Sequence, residues 1–315
     1  MQYNFIIMDT LARVFGAPLT LILSTMLLVI LTVPNVQAQK EFTLDERYEL
    51  GQNASIHLKT GGAQVRILPT DAQQTTVKSV YRIDTKGLKI GSKDPVELEA
   101  TVAGDSLILS EKEQKGTRIV LGGKSVEYNI TIETPAHTNL FLRGEDNSYF
   151  VRKINGEINI KGKKASIDLQ KCSGEKFVFD LNDSTLDMDE GAGSLTLKIN
   201  KGVVRMQDIN FEVMGVNVDK AELNMFTHLP DNGNYIMDID DGKLLFHIID
   251  GGGTITISHN GLRILSNGDF MVPLNSKKET IYKREGGSAQ VAIDADQSRI
   301  KLETKEAVDA DAGVE

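Results

Sequence analysis

A repeating pattern of strand, turn and strand is the feature of this sequence that most restricts its fold. The stretch FVFDLNDSTLDMDEGAG, residues 177–193, alternates apolar and polar residues, turns at Asn-Asp-Ser, and alternates again before two glycines. Similar rows about 18 to 22 residues long are repeated along the chain, and repeats of this length are typical of solenoids. The rows begin at Leu140, Ile158, Phe177, Leu195, Val213, Tyr235 and Ile255.

Aligned rows form columns of apolar residues. Side chains alternate across a strand, so the first and third residues of each row share one face. Both positions are apolar in every row except at Gly215, and the second strand of each row repeats the pattern at Ile167, Leu186, Val204, Leu223 and Leu244. One such unit cannot bury its apolar face alone, whereas stacked units can. We therefore predict an all-β, single-domain parallel β-helix, or β-solenoid, with about 18 to 22 residues per coil.

The sequence also suggests where the solenoid begins and ends. Residues 39–135 contain β patterns of less regular length, and we expect them to form a cap, with exposed loops at 84–94 and 111–117. The solenoid repeats are predicted for residues 136–303. The strands Val291-Ala-Ile and Arg299-Ile-Lys-Leu are expected to close its far end, and residues 304–315 to form a disordered acidic tail.

Charged residues occupy the outward positions of the rows. Lys161, Asp180 and Lys198 are the fourth residues of successive rows, and a second column contains Asp168, Asp187 and Arg205. Neighbouring opposite charges would form cross-strand pairs that help to set the register. The aspartates of residues 177–193 therefore have a structural explanation.

The N-terminus has the features of an export signal. Residues 1–38 contain Arg13, an apolar run from Ala17 to Val33, and the small-residue pattern Val36-Gln37-Ala38. We interpret residues 1–38 as a signal peptide cleaved after Ala38. The alternative is an uncleaved signal anchor, because the run is close to the shortest length that spans a membrane. Either way the chain is expected to leave the cytoplasm, for the periplasm, the outer cell envelope or the medium.

Composition limits the classes of partner. The formal net charge is -9 and no basic stripe is evident, which argues against nucleic acid. Membrane contact is expected only through an uncleaved signal segment. Tryptophan is absent and aromatic residues make up 6% of the chain, which weakens stacking against sugars. The expected partner is an envelope or surface protein or a glycan.

No residues are predicted as catalytic, cofactor-binding or metal-binding. The segment Asp238-Ile-Asp240-Asp241-Gly242 lacks the spacing of an EF-hand calcium loop. The histidines have no close pair at the spacing of zinc ligands, and the single cysteine, Cys172, is interpreted as a small turn residue rather than a reactive thiol. The five histidines are His57, His137, His228, His247 and His259.

The order of elements resembles the bacterial putative-adhesin family. The resemblance covers residues 42–303 and rests on strand and glycine patterns. After the signal segment these are Ser55-Ile-His-Leu, Gln64-Val-Arg-Ile, the strand ending at Pro135, and the repeats that start with Gly156-Glu-Ile-Asn-Ile. The resemblance implies a β-solenoid fold related to the autotransporter adhesin domain, a location in the envelope or at the surface, and no known enzyme activity.

Three classes of function remain open at this point. The first is a non-catalytic binding or structural module of the envelope, which the absence of a catalytic signature favours. The second is a polysaccharide-active enzyme using paired carboxylates such as Asp187 with Asp189, or Asp238 with Asp240. The third is an envelope signalling protein with a membrane partner, which sequence alone does not separate from the first.

Overall fold

The structure is a computed structural model that describes residues 38–51, 53–93, 96–112 and 116–304. This part of the chain consists of 21 strands in one open sheet and has no helix, so the prediction of an all-β fold is confirmed. Within the same residues no helix has the length and hydropathy needed to cross a membrane. Residues 1–37 of the predicted signal peptide and residues 305–315 of the predicted tail lie outside the described ranges.

The strands are numbered in chain order. The first ten are β1 (Ala38–Glu49), β2 (Ser55–Gly61), β3 (Gln64–Pro69), β4 (Gln74–Lys93), β5 (Leu98–Ala103), β6 (Ser106–Glu111), β7 (Gly116–Thr134), β8 (Asn139–Glu145), β9 (Ser148–Arg152) and β10 (Ile158–Lys163). The others are β11 (Ser166–Gln170), β12 (Ser173–Asp189), β13 (Ala192–Leu229), β14 (Asn234–Asp240), β15 (Lys243–Gly251), β16 (Gly253–His259), β17 (Ile264–Asn267), β18 (Met271–Asn275), β19 (Glu279–Arg284), β20 (Ala289–Asp296) and β21 (Arg299–Thr304).

The chain divides into two compact units. The smaller contains Met1–Glu41, Arg82–Asp94 and Lys115–Val126, and in its described part Arg82 donates from Nη2 to Glu41 Oε2 at 2.9 Å. The larger contains the remaining residues and all of the surfaces considered below. The prediction of exposed loops at 84–94 and 111–117 is wrong for residues 84–93, which continue β4, and for residues 116–117, which begin β7. Residues 94 and 113–115 lie outside the described ranges.

The central strands pair in parallel with the register that the apolar columns predict. Ile158 of β10 lies beside Leu140 of β8 on one side and Phe177 of β12 on the other. Phe177 then lies beside Leu195 of β13. In the second strands, Ile167, Leu186 and Val204 are neighbours in the same way. All of these side chains are at most 2% exposed, so burial of the alternating face sets this register.

The predicted row beginning at Val213 is out of register by one residue. Tyr235 lies beside Met214, not Val213. Met214 is 1% exposed and Val213 is 52% exposed. The consecutive exposed residues Glu212 and Val213, which follow the buried Phe211, shift the alternation by one position.

The prediction that the last two strands close the far end is also wrong. Strand β20 lies between β14 and β16, so that Val291 separates Tyr235 from Ile255. Likewise β21 lies between β15 and β17. The outer partner of β16 is instead the antiparallel strand β19, which pairs with β18.

The N-terminal strands join the same parallel ladder. Strand β2 pairs in parallel with β8, and β3 with β9, although both lie within the predicted cap. Strand β6 adds a further parallel neighbour to β2, and β5 pairs with β6 in the antiparallel sense. Regular stacking therefore extends toward the N-terminus beyond the rows recognised in the sequence.

Non-glycine residues with positive φ recur at the turns within the rows, either between two strands or inside the long strands β12 and β13. A positive φ is unfavourable for residues other than glycine, asparagine and aspartate, so its repetition at equivalent places in successive rows is a property of the fold. The first turn of successive rows contains Asp146, Lys164, Asp183, Lys201, Lys220, Asp241 and Gln297, with φ between 49° and 59°.

Replacement of Asp183 would test how strongly the turn depends on this conformation. The sequence pattern predicts that Asp183→Ala is nearly silent. Because Asp183 has φ 51°, we now expect Asp183→Ala to lower the free energy of unfolding by about 1 kcal/mol. Urea denaturation would measure this loss of stability. Asp183→Gly, which adopts this φ without strain, should not be destabilising, and equal losses for both variants would contradict the assignment.

Two of the predicted outward ion pairs are present. Lys161 Nζ lies 2.7 Å from Asp180 Oδ2, and Arg205 Nη1 lies 3.2 Å from Asp187 Oδ1. Both pairs join neighbouring strands at positions that are in register. Because all four side chains are about half exposed, each pair stabilises the fold by at most about 1 kcal/mol.

Candidate functional site

The outer face of four neighbouring strands forms a grid of side chains. Register places Glu222 of β13 beside Lys243 of β15, and Lys243 beside Arg299 of β21. In the next column Leu245 lies beside Lys301, and Lys301 beside Leu265 of β17. Arg263 directly precedes β17 and so continues the column of Arg299. Alternation turns these side chains outward, away from buried Leu244 and Ile300.

A groove of about 460 Å³ crosses this grid. Leu244 and Ile300 contribute to its floor, and Leu245 and the 48% exposed Leu265 contribute apolar surface. Its polar lining is Glu222, Asn224, Lys243, Arg263, Arg299 and Lys301. Four cationic side chains and one carboxylate therefore line the groove, a formal excess of three positive charges in a chain whose net charge is -9.

The four cations differ in their partners. Lys301 forms an ion pair with Glu303, and Lys243 Nζ lies 3.8 Å from Glu222 Oε2. Among the described residues, neither Arg263 nor Arg299 has an ion pair. Like charges on neighbouring strands repel each other, so the column of Lys243, Arg299 and Arg263 is electrostatically unfavourable without an anion. A bound carboxylate, sulfate or phosphate would relieve this repulsion, and an arginine can hold such a group with two hydrogen bonds.

A second polar cluster joins His228, near the end of β13, to Asp208 of the same strand and to Asp250 of β15. His228 Nε2 is 2.6 Å from Asp208 Oδ1, and His228 Nδ1 is 2.7 Å from Asp250 Oδ1. An ionised carboxylate only accepts hydrogen bonds, so both contacts are satisfied together only when the imidazole carries two protons. Partial burial lowers the pKa of His228, but the hydrogen bonds and charges of both aspartates outweigh it and raise the pKa above the ordinary value.

The raised pKa of His228 predicts a pH-dependent contribution to stability. The contribution should be fully present below the unfolded-state value of about 6.5 and should disappear as the pH rises through the higher folded-state pKa. We expect His228→Gln to lower the free energy of unfolding by on the order of 1 kcal/mol at pH 5.5 and by little at pH 9.

Chemical denaturation of the wild type and His228→Gln across this range would measure the effect. The double variant Asp208→Asn with Asp250→Asn provides the control, because it keeps the histidine and removes both acceptors of its protons. In that background His228→Gln should lose its pH dependence. A stability difference that grows with rising pH would contradict the assignment.

The remaining histidines are placed separately. His57 stacks on Phe141 with 4.6 Å between ring centroids, and His259 is buried, with Nε2 3.0 Å from Thr280 Oγ1. His247 Nδ1 lies 3.6 Å from Glu303 Oε2. His137 lines a second cavity, of about 480 Å³, together with Leu50, Gly51, Gln73 and Pro135. That cavity has no carboxylate or thiol in its lining.

Cys172 is buried, with Sγ 3.5 Å from the carbonyl oxygen of Gln170. Burial raises the pKa of the Cys172 thiol. The protonated thiol is a poor nucleophile, which agrees with its interpretation as a structural residue.

The carboxylates weighed as catalytic or metal-binding groups lie on outward positions. Asp187 contacts Arg205, and Asp238 accepts a hydrogen bond from Asn217 at 2.9 Å. Strand β20 brings Asp294 beside Asp238 and Asp296 beside Asp240. Across the described ranges, no group of three or more histidine, cysteine, aspartate or glutamate side chains is arranged to hold a metal ion.

The cationic groove was not found by sequence reasoning. Its cations come from three segments that are far apart in the chain, at 243, 263 and 299–301. They become neighbours only because β21 lies between β15 and β17. The one available signal was a shared position in the rows. Lys243, Arg263 and Arg299 each lie two residues after a turn residue with positive φ.

Comparison with known proteins gives matches among solved structures. No protein-family model matches the chain. No curated protein matches it either. Among solved structures, a putative cell adhesion protein from Clostridium sporogenes ATCC 15579 is 13% identical, with a TM-score of 0.23, over 85% of this chain and 100% of that one. A putative adhesin from Parabacteroides distasonis ATCC 8503 is 9% identical, with a TM-score of 0.46, over 86% of this chain and 98% of that one.

Proposed function

We propose that this protein is an exported, non-catalytic β-solenoid that acts as an adhesin-like binding module of the bacterial cell envelope. The observation that carries the proposal is the open cationic groove, which concentrates positive charge on one outer face of an acidic chain. Expected partners are surface proteins or glycans of the envelope. Export rests on the signal features of residues 1–38.

Three observations support the solenoid architecture. Parallel registers link β3 to β9, β9 to β11, and β11 to β12 without a change of direction. Each row has a positive-φ residue at an equivalent turn, and inward side chains stack on side chains of the same kind. Within this proposal residues 39–135 are the N-terminal β region and residues 136–303 the main set of repeats.

A non-catalytic role is supported by the surroundings of the residues best suited to catalysis. Asp187 forms an ion pair with Arg205, and burial raises the pKa of the Cys172 thiol. The carboxylates Asp238 and Asp240 lie on an exposed strand face rather than in either of the two cavities described above. A general acid needs a pocket that raises its pKa and orients the substrate, which an open strand face does not provide.

A combined screen for binding and cleavage tests the proposal. The purified protein is immobilised and exposed to a panel of envelope and matrix polysaccharides and to isolated outer-envelope protein fractions. Retention of at least one defined ligand without release of new reducing ends or peptides is the expected result. Release that is abolished by changing one surface carboxylate would make the protein an enzyme, and no retention at all would remove the binding role.

A further inference from the structure

We propose that the cationic groove binds a linear acidic polysaccharide, with Arg263 and Arg299 holding carboxylates of the sugar chain. This inference rests on the proposed binding function and names the ligand class of the same face. It follows from the direction in which the cations are arranged, from the lack of ion-pair partners at Arg263 and Arg299 among the described residues, and from the apolar surface beside them.

The cations lie across the strands rather than along one strand. Lys243, Arg299 and Arg263 belong to one column, with one cation on or next to each of β15, β21 and β17. Neighbouring strands are about 4.8 Å apart, so a ligand that follows the column meets a cation at each such step. Linear polyuronates carry one carboxylate on every sugar ring, so a chain that lies along the column keeps negative charge close to all three cations.

An extended acidic peptide fits this column less well. A peptide that pairs with the edge of β17 would run parallel to the strands and would not reach Lys243. The geometry therefore favours a polysaccharide that crosses the strands.

The two arginines are available for such a ligand. Elsewhere on this sheet many cations are paired across strands, as Lys161 is with Asp180 and Arg205 with Asp187. Arg263 and Arg299 have no ion pair within the described ranges, and both are exposed. Leu245 and Leu265 lie beside them in the groove and offer apolar contact to the C–H faces of sugar rings.

Binding of polygalacturonate to the immobilised protein tests the inference. We expect the wild type to retain polygalacturonate more strongly than dextran, a neutral glucan, or poly-L-glutamate of matched carboxylate content. The double variant Arg263→Gln with Arg299→Gln should bind polygalacturonate more than about tenfold more weakly, because it loses two charge-assisted contacts. Arg299→Gln alone should give a smaller loss and serves if the double variant does not fold.

The matched control is Lys161→Gln with Arg205→Gln, which also removes two positive charges, but from columns outside the groove. It should bind within about twofold of the wild type. Equal losses in both double variants would overturn the groove assignment in favour of net charge. Equal retention of poly-L-glutamate would overturn the polysaccharide in favour of an acidic peptide. If polygalacturonate is not retained but another envelope ligand is, this inference fails and the proposed binding function stands, whereas failure with every ligand removes both.

Discussion

Leu197→Asp should unfold the protein. Leu197 lies on β13 beside Phe179 of β12 and is 1% exposed. An aspartate at this position would place a carboxylate without a partner among apolar side chains, which should lower the free energy of unfolding by more than about 4 kcal/mol. Because a domain has only about 5 to 15 kcal/mol in total, we expect aggregation on expression, or loss of the cooperative transition seen by circular dichroism.

The control for this change is Thr196→Asp. Thr196 precedes Leu197 and is exposed on the opposite face of the same strand. Its replacement should change the free energy of unfolding by about 0.5 kcal/mol or less. If Thr196→Asp were the more damaging of the two, the inward and outward faces of β13 would be exchanged and the assigned register would be wrong.

Asn147→Ala should cause the second largest loss of stability. Asn147 is 2% exposed and links the turn after β8 to the turn after β2. Its Oδ1 accepts a hydrogen bond from the Ala63 backbone N–H at 2.8 Å, and its Nδ2 donates to the Thr60 carbonyl oxygen at 2.9 Å. Nδ2 also lies 2.7 Å from the Tyr149 hydroxyl. Alanine would leave buried backbone groups without partners, so we expect a loss of about 3 kcal/mol in denaturant titrations.

Asn217→Ala is the matched control, because Asn217 is exposed and its amide donates to Asp238 across one pair of strands. It should lower the free energy of unfolding by less than about 0.5 kcal/mol. Similar values for the two variants would mean that water replaces the bonds of Asn147 at no loss, and that the turn does not depend on this side chain.

The turn around Asn147 also shows that residue type alone does not identify hydrogen bonds between neighbouring rows. Ser184 Oγ accepts a hydrogen bond from the Ala165 N–H, and Ser298 Oγ accepts one from the Gly242 N–H. Each of these polar residues follows a positive-φ residue, as Asn147 follows Asp146. In the sequence they are ordinary turn residues, because their partners belong to other rows and are identified only once the rows are stacked.

The sequence by itself determined the all-β class, and it determined both the inward face and the register of the rows from Leu140 to Leu195. This was possible because alternation has a period of two residues, and a slip by one residue would expose every apolar side chain. The same reasoning found the pairs of Lys161 with Asp180 and of Asp187 with Arg205. These features depend on neighbours in consecutive rows, which the chain itself places in order.

Only the tertiary structure decided the order of the C-terminal strands, and with it the groove. The pattern Val291-Ala-Ile has the same alternation as Ile255-Thr-Ile, so burial alone does not distinguish which of them lies beside Tyr235. The structure inserts β20 and β21 between earlier strands, and this brings Arg299 beside Lys243. Local periodicity reports which side of a strand is buried, whereas the neighbours of an outward charge depend on contacts between distant segments.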